Sequence, residues 1–69
     1  MTLKLCKEVY SQNVVLQSKD AFSGLAKITI SSDGGYWICC FTNCKVDALQ
    51  TIAEFENYAI DLMNANADY

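Results

Sequence analysis

The sequence contains no arginine, no histidine and no proline, and only three glycines. Each shortage removes a class of function. Without arginine, and with only five lysines scattered at Lys4, Lys7, Lys19, Lys27 and Lys45, the chain has no basic cluster for phosphates, and its net charge is -3. Nucleic acid is therefore excluded as the expected partner, since phosphate binding needs grouped cations. Without histidine the usual proton shuttle is missing, and so is the commonest metal ligand. Three glycines form no phosphate-cradling loop, and no linker, repeat or low-complexity run interrupts the chain. No apolar run is long enough to cross a bilayer, and Met1-Thr2-Leu3-Lys4 does not open a signal peptide. No membrane partner is expected, and the cytoplasm is the expected compartment. There the four cysteines would stay reduced.

What is present is a hydrophobic fraction of 52% in 69 residues. That is enough for one core and too much for a disordered tail. A single small domain over residues 1–69 follows. Its stability margin is thin, because a chain this short buries only about 60% of its unfolded surface. A partner, or a second copy, would add burial.

Periodicity divides the chain into five elements. Leu3, Leu5 and Val9 alternate with polar residues, predicting a strand over about residues 3–9. Ser11 reads as a helix N-cap. Val14, Val15, Ser18, Ala21, Phe22 and Leu25 form an apolar stripe on a helix from about Gln12 to Ser23, stopped by Gly24 at C′ with Leu25 folding back. Ala26, Ile28 and Ile30 alternate with Lys27, Thr29 and Ser31 and predict an inside and an outside for the second strand. Asp33-Gly34 is a type I′ hairpin signal, widened by Gly35. The return strand, residues 36–42, is apolar on both faces. Asp47 caps the last helix, with Gln50 completing a capping box. Ala48, Ile52, Phe55, Ala59 and Leu62 are its core stripe, widened by Leu49, Met63 and the stem of Glu56. The tail from Asn64 to Tyr69 is expected to fray.

Strand, helix, strand, strand, helix predicts an α+β fold. It has a three-stranded sheet with two helices on one face, the ferredoxin-like arrangement lacking its fourth strand. A winged-helix-like peptide-recognition fold is the alternative. The missing strand leaves the edge beside residues 3–9 open.

Chemistry is sparse. Cys40 and Cys44 have a spacing that zinc sites use, but Cys39 and Cys40 point to opposite faces of a strand. Buried structural thiols are the better reading, and no metal or cofactor is expected. Glu54, Glu56 and Asp61 read as a solvated helix face rather than as an acid–base set. The return strand stands out. Two helices cover one face of the sheet, so either Trp37, Cys39 and Phe41 or Tyr36, Ile38 and Cys40 face away from them. Either choice makes an apolar patch of the kind that marks interfaces.

Several segments carry a family resemblance. Leu3-Lys4-Leu5 leads to Val9-Tyr10-Ser11, the hairpin follows at Asp33-Gly34-Gly35-Tyr36, and the last helix reads Glu54-Phe55-Glu56-Asn57-Tyr58-Ala59-Ile60-Asp61, with Phe55-x-Asn57 and Asp61 the most distinctive piece. Together they resemble the small HxsD-like proteins found beside radical S-adenosylmethionine peptide maturases. They are also similar to the partner proteins of splicease systems, in which a radical enzyme excises a tyramine unit from a ribosomal peptide. The resemblance implies a non-catalytic accessory that binds the precursor peptide, the radical enzyme, or both. The iron–sulfur cluster and S-adenosylmethionine would belong to that enzyme. Cys39, Cys40 and Cys44 depart from the family's pattern. The candidate contact residues are Lys4, Trp37 and Phe41 for peptide, and Tyr58 and Asp61 for the enzyme. A homodimer through the apolar strand face or the open edge, with no peptide affinity, is the rival reading, and a thiol- or metal-dependent protein using Cys39, Cys40 and Cys44 is the third.

Overall fold

A computed structural model describes residues 1–66. The order is β1 (Thr2–Cys6), α1 (Gln12–Ala21), β2 (Lys27–Asp33), β3 (Tyr36–Thr42) and α2 (Ala48–Asn66). The strands form one sheet in the order β1-β3-β2, and β3 is antiparallel to both neighbours. This is the expected α+β fold without a fourth strand. Residues 64–66, expected to fray, belong to the last turn of α2; the rest of that tail lies outside the described residues.

β1 is shorter than its alternation suggested. After Cys6 the chain turns, and the Cys6 carbonyl accepts from the Val9 and Tyr10 N–H groups at 3.1 and 2.9 Å. Val9 is consequently 59% exposed rather than part of the strand. Ser11 caps α1 as expected, its Oγ accepting from the Val14 N–H at 3.3 Å. The helix does not stop through a left-handed Gly24. Phe22 is the C-cap, and its carbonyl accepts from the Leu25 and Ala26 N–H groups at 2.9 and 3.2 Å. Leu25 stays exposed.

The hairpin is tighter than expected. Asp33 pairs with Tyr36, so Gly34 and Gly35 alone make the turn. Only Gly34 has positive φ, at 58°, which is the type II′ pattern rather than I′. After β3, Asn43 takes the left-handed conformation at φ 54°, which its short polar side chain tolerates. The Lys45 N–H then donates to the Leu25 carbonyl at 2.8 Å. Asp47 caps α2 through an Oδ2 contact with the Gln50 N–H at 3.0 Å. The capping box stays half closed, because the Gln50 side chain turns forward to Glu54, 3.0 Å away.

Both helices lie on the face that carries Leu5, Ile28, Cys39 and Phe41. Phe55 sits at the centre, edge-to-face with Phe22 of the α1 cap (5.6 Å) and Phe41 of β3 (5.1 Å). Such pairs add about 0.5–1.5 kcal/mol beyond their area. Small residues let the layers approach. Ser18 is fully buried and returns its hydroxyl to the Val14 carbonyl at 2.8 Å, while Ala59 is fully buried on α2. Thr51, also buried, was not expected inside. Its hydroxyl donates to the Asp47 carbonyl at 3.0 Å and leaves only a methyl to pack. Leu49, expected to widen the core, is 65% exposed.

Candidate functional site

The register decides the fate of β3. Trp37, Cys39 and Phe41 share the helix-covered face with Leu3, Leu5, Ile28 and Ile30. Phe41 is 2% exposed and belongs to the core. The expectation that it meets a peptide is therefore corrected: two helices already consume its surface. Trp37 is half-buried on the same side and packs against the core. Its indole N–H donates to the Tyr10 carbonyl at 3.0 Å, and the Lys7 ammonium lies 4.7 Å from its ring centroid. Lys7 also reaches the Ser32 hydroxyl, closing over the indole. Trp37 is thus largely a packing residue, with one side left toward a groove.

The strip that faces away from the helices is Tyr36, Ile38 and Cys40. Tyr36 is 46% exposed, and Ile38 and Cys40 are half-buried. Thr2, Lys4 and Cys6 flank it on β1, and Thr29, Ser31 and Asp33 on β2. Lys4 leans over the Tyr36 ring, 5.3 Å from its centroid. The strip is one strand wide, apolar, and bordered by polar residues and one cation.

The backbone pattern identifies what each edge offers. Met1 and Phe41 exchange both hydrogen bonds, the Met1 nitrogen donating to the Phe41 carbonyl at 3.2 Å and the Phe41 N–H donating to the Met1 carbonyl at 2.7 Å. Antiparallel pairs alternate, so Leu3 and Leu5 also bond to β3, while Thr2, Lys4 and Cys6 turn their backbone groups outward. The Cys6 carbonyl is occupied by the turn that follows. That leaves the N–H and C=O of Thr2 and Lys4, with the Cys6 N–H, along the edge where a fourth strand would lie. On β2 the same alternation turns Ile28, Ile30 and Ser32 outward. An open trough of about 620 Å³ lies beside the start of β2, lined by Lys19, Asp20, Lys27, Ile28 and Lys45 among others. A smaller one of about 180 Å³ follows, between Leu16 of α1, Ile30 and Trp37.

The cysteines are dispersed. Cys39 is completely buried, and burial pushes its thiol up to about 11. Cys6 and Cys40 share the uncovered face, but Cys6 is level with Tyr36, four residues from Cys40 on β3. That is roughly 13 Å along the strand. Among the described residues no three His, Cys, Asp or Glu side chains are grouped to hold a metal. Tyr10 is raised by burial and then by the nearby Glu56 carboxylate.

Both residues expected to meet an enzyme are exposed, Tyr58 at 38%, and Tyr58 also stacks edge-to-face on Phe22 at 5.7 Å, joining the two helices. Lys4 is the one candidate peptide contact that lies both at an open edge and beside the apolar strip. Sequence reasoning missed Tyr36 and Ile38 as the surface strip, although it had them as the alternative. No family model, curated protein or solved structure matches the chain. No helix among the described residues is long and apolar enough to cross a membrane.

Proposed function

We propose that the protein is a non-catalytic accessory of a radical S-adenosylmethionine peptide maturase, and that it holds the precursor peptide along the β1 edge. The observation that carries this reading is the β1 edge itself, unpaired among the described residues. Thr2 and Lys4 present free backbone donors and acceptors beside the strip of Tyr36 and Ile38. An extended peptide added there takes the position of the absent fourth strand. Main-chain hydrogen bonds supply affinity, and alternate side chains meet the strip. Lys4 favours an acidic peptide residue on that face and opposes indiscriminate pairing. The resemblance to HxsD-like and splicease partner proteins supports the choice of peptide and enzyme, and Asp61 is the proposed enzyme contact.

The test has two steps. Tagged protein recovered from its native source, with bound species identified by mass spectrometry, should carry a radical S-adenosylmethionine enzyme and a short precursor peptide. The synthetic peptide is then titrated against wild type and Lys4→Pro. The Lys4 N–H points outward, so proline removes a donor from the edge without breaking the β1–β3 ladder. A loss of tenfold or more in affinity, with unchanged melting, is expected. Equal affinity for both proteins rejects the edge.

A further inference from the structure

The β2 edge differs from the β1 edge in being complementary to itself. Its outward backbone groups belong to Ile28, Ile30 and Ser32, and its two ends carry Lys27 and Asp33 on the uncovered face, both exposed. We infer that β2 is a homodimer edge, pairing antiparallel with β2 of a second copy in the register that places Ile30 opposite Ile30 on the two-fold axis.

In that register Ile28 lies opposite Ser32 of the second copy, so every outward backbone group finds a counterpart in phase. On the uncovered face Lys27 comes opposite Asp33 at one end and Asp33 opposite Lys27 at the other, with Thr29 opposite Ser31 between them. Opposite charges and hydroxyl pairs directly across an antiparallel ladder are favourable. Shifting the register by two residues in either direction loses both charge pairs, and a one-residue slip would put outward backbone groups against side-bonded ones. The helix side agrees. Leu16, 40% exposed, borders Ile30 and Trp37 in the smaller trough, next to the axis, where the second copy brings its own. The larger trough, lined by Lys19, Lys27 and Lys45 together with Asp20, lies toward the Asp33 hairpin end of the other copy. A continuous six-stranded sheet results, with all helices on one side. Both β1 edges remain free at its ends.

At β1 the register centred on Lys4 would place it opposite Lys4 of the second copy, a like-charge contact with no counterpart in the β2 pairing.

Sedimentation equilibrium tests the pairing through charge reversal at exposed positions. Wild type should be a reversible dimer. Lys27→Glu alone, and Asp33→Lys alone, each convert two attractive contacts into two repulsive ones and should weaken association about tenfold or more. A 1:1 mixture of the two variants restores both contacts in the heterodimer and should return to wild-type association, as should the double variant Lys27→Glu/Asp33→Lys. Circular dichroism verifies that each remains folded. A wild type that stays monomeric, variants that associate as wild type does, or a mixture that fails to recover would overturn the pairing. None of these results bears on the Lys4→Pro titration, so the dimer and the peptide reading fail separately.

Discussion

The two faces of β3 carry comparable apolar residues and meet opposite fates. Trp37, Cys39 and Phe41 are packed beneath two helices, while Tyr36, Ile38 and Cys40 face away from them. The strand is in the middle of the sheet, so neither face is an edge and both are hydrophobic by sequence. What separates them is the side to which β1 and β2 turn their own apolar residues. Leu3 and Leu5 on one flank, and Ile28 and Ile30 on the other, align with Trp37, Cys39 and Phe41. On the other face the same flanks contribute Thr2, Lys4, Thr29 and Ser31. A strand's neighbours, more than its own composition, choose which face is core.

That contrast should appear as a gradient in stability. The largest effect is expected from Phe41→Ala, which empties the site facing Phe55 and should cost about 3–5 kcal/mol in urea unfolding. A cost under about 1 kcal/mol would mean the helices do not cover this face. Trp37→Ala comes next, at about 3 kcal/mol, since it removes a half-buried indole along with its bond to Tyr10. Cys39→Ser places a hydroxyl in a fully buried apolar site and should cost about 1–3 kcal/mol. Ile38→Thr on the uncovered face should change stability by less than about 1 kcal/mol.

Thiol chemistry sharpens the same comparison. Cys39 should be the last of the four cysteines to react with a disulfide reagent under native conditions. Its folded value, pushed up to about 11 from 9.0, also sets a sign. The unfolded thiol ionises first, so this group's contribution to stability is complete below pH 9 and is lost as the pH rises toward 11. A Cys39→Ala variant should show a smaller decline across that window than wild type.

Much of the architecture is legible in the sequence. The strict alternation from Ala26 to Ser31 assigned an inside and an outside to β2, and Ser11 and Asp47 marked where both helices begin. These are local signals, carried by a side chain and a backbone group three residues away. Val9 misled because its spacing continues the β1 pattern, whereas the Cys6 carbonyl folds the chain back before it. Gly24 misled because a glycine near a helix end suggests a left-handed stop, and here Phe22 already ends the helix while its ring anchors the core. Thr51 was overlooked because its hydroxyl looks polar in isolation, and a bond to the Asp47 carbonyl hides it.

The candidate site divides along the same line. An open place beside β1 and Lys4 was the expectation from reading strand, helix, strand, strand, helix as a ferredoxin-like fold without its fourth strand, and the strand order β1-β3-β2 is what puts β1 at that edge. Composition alone removed arginine- and histidine-dependent chemistry. The sequence therefore determined the elements, their order and the two sides of β2, since each depends on residues within one turn or one strand of each other. The choice between the two faces of β3, the turn type at Gly34, and the alignment of Lys27 and Asp33 at the two ends of a free edge were decided by tertiary structure. Each depends on which strand lies beside which and in what register, and that is settled only when β1 and β2 close on β3 from opposite sides.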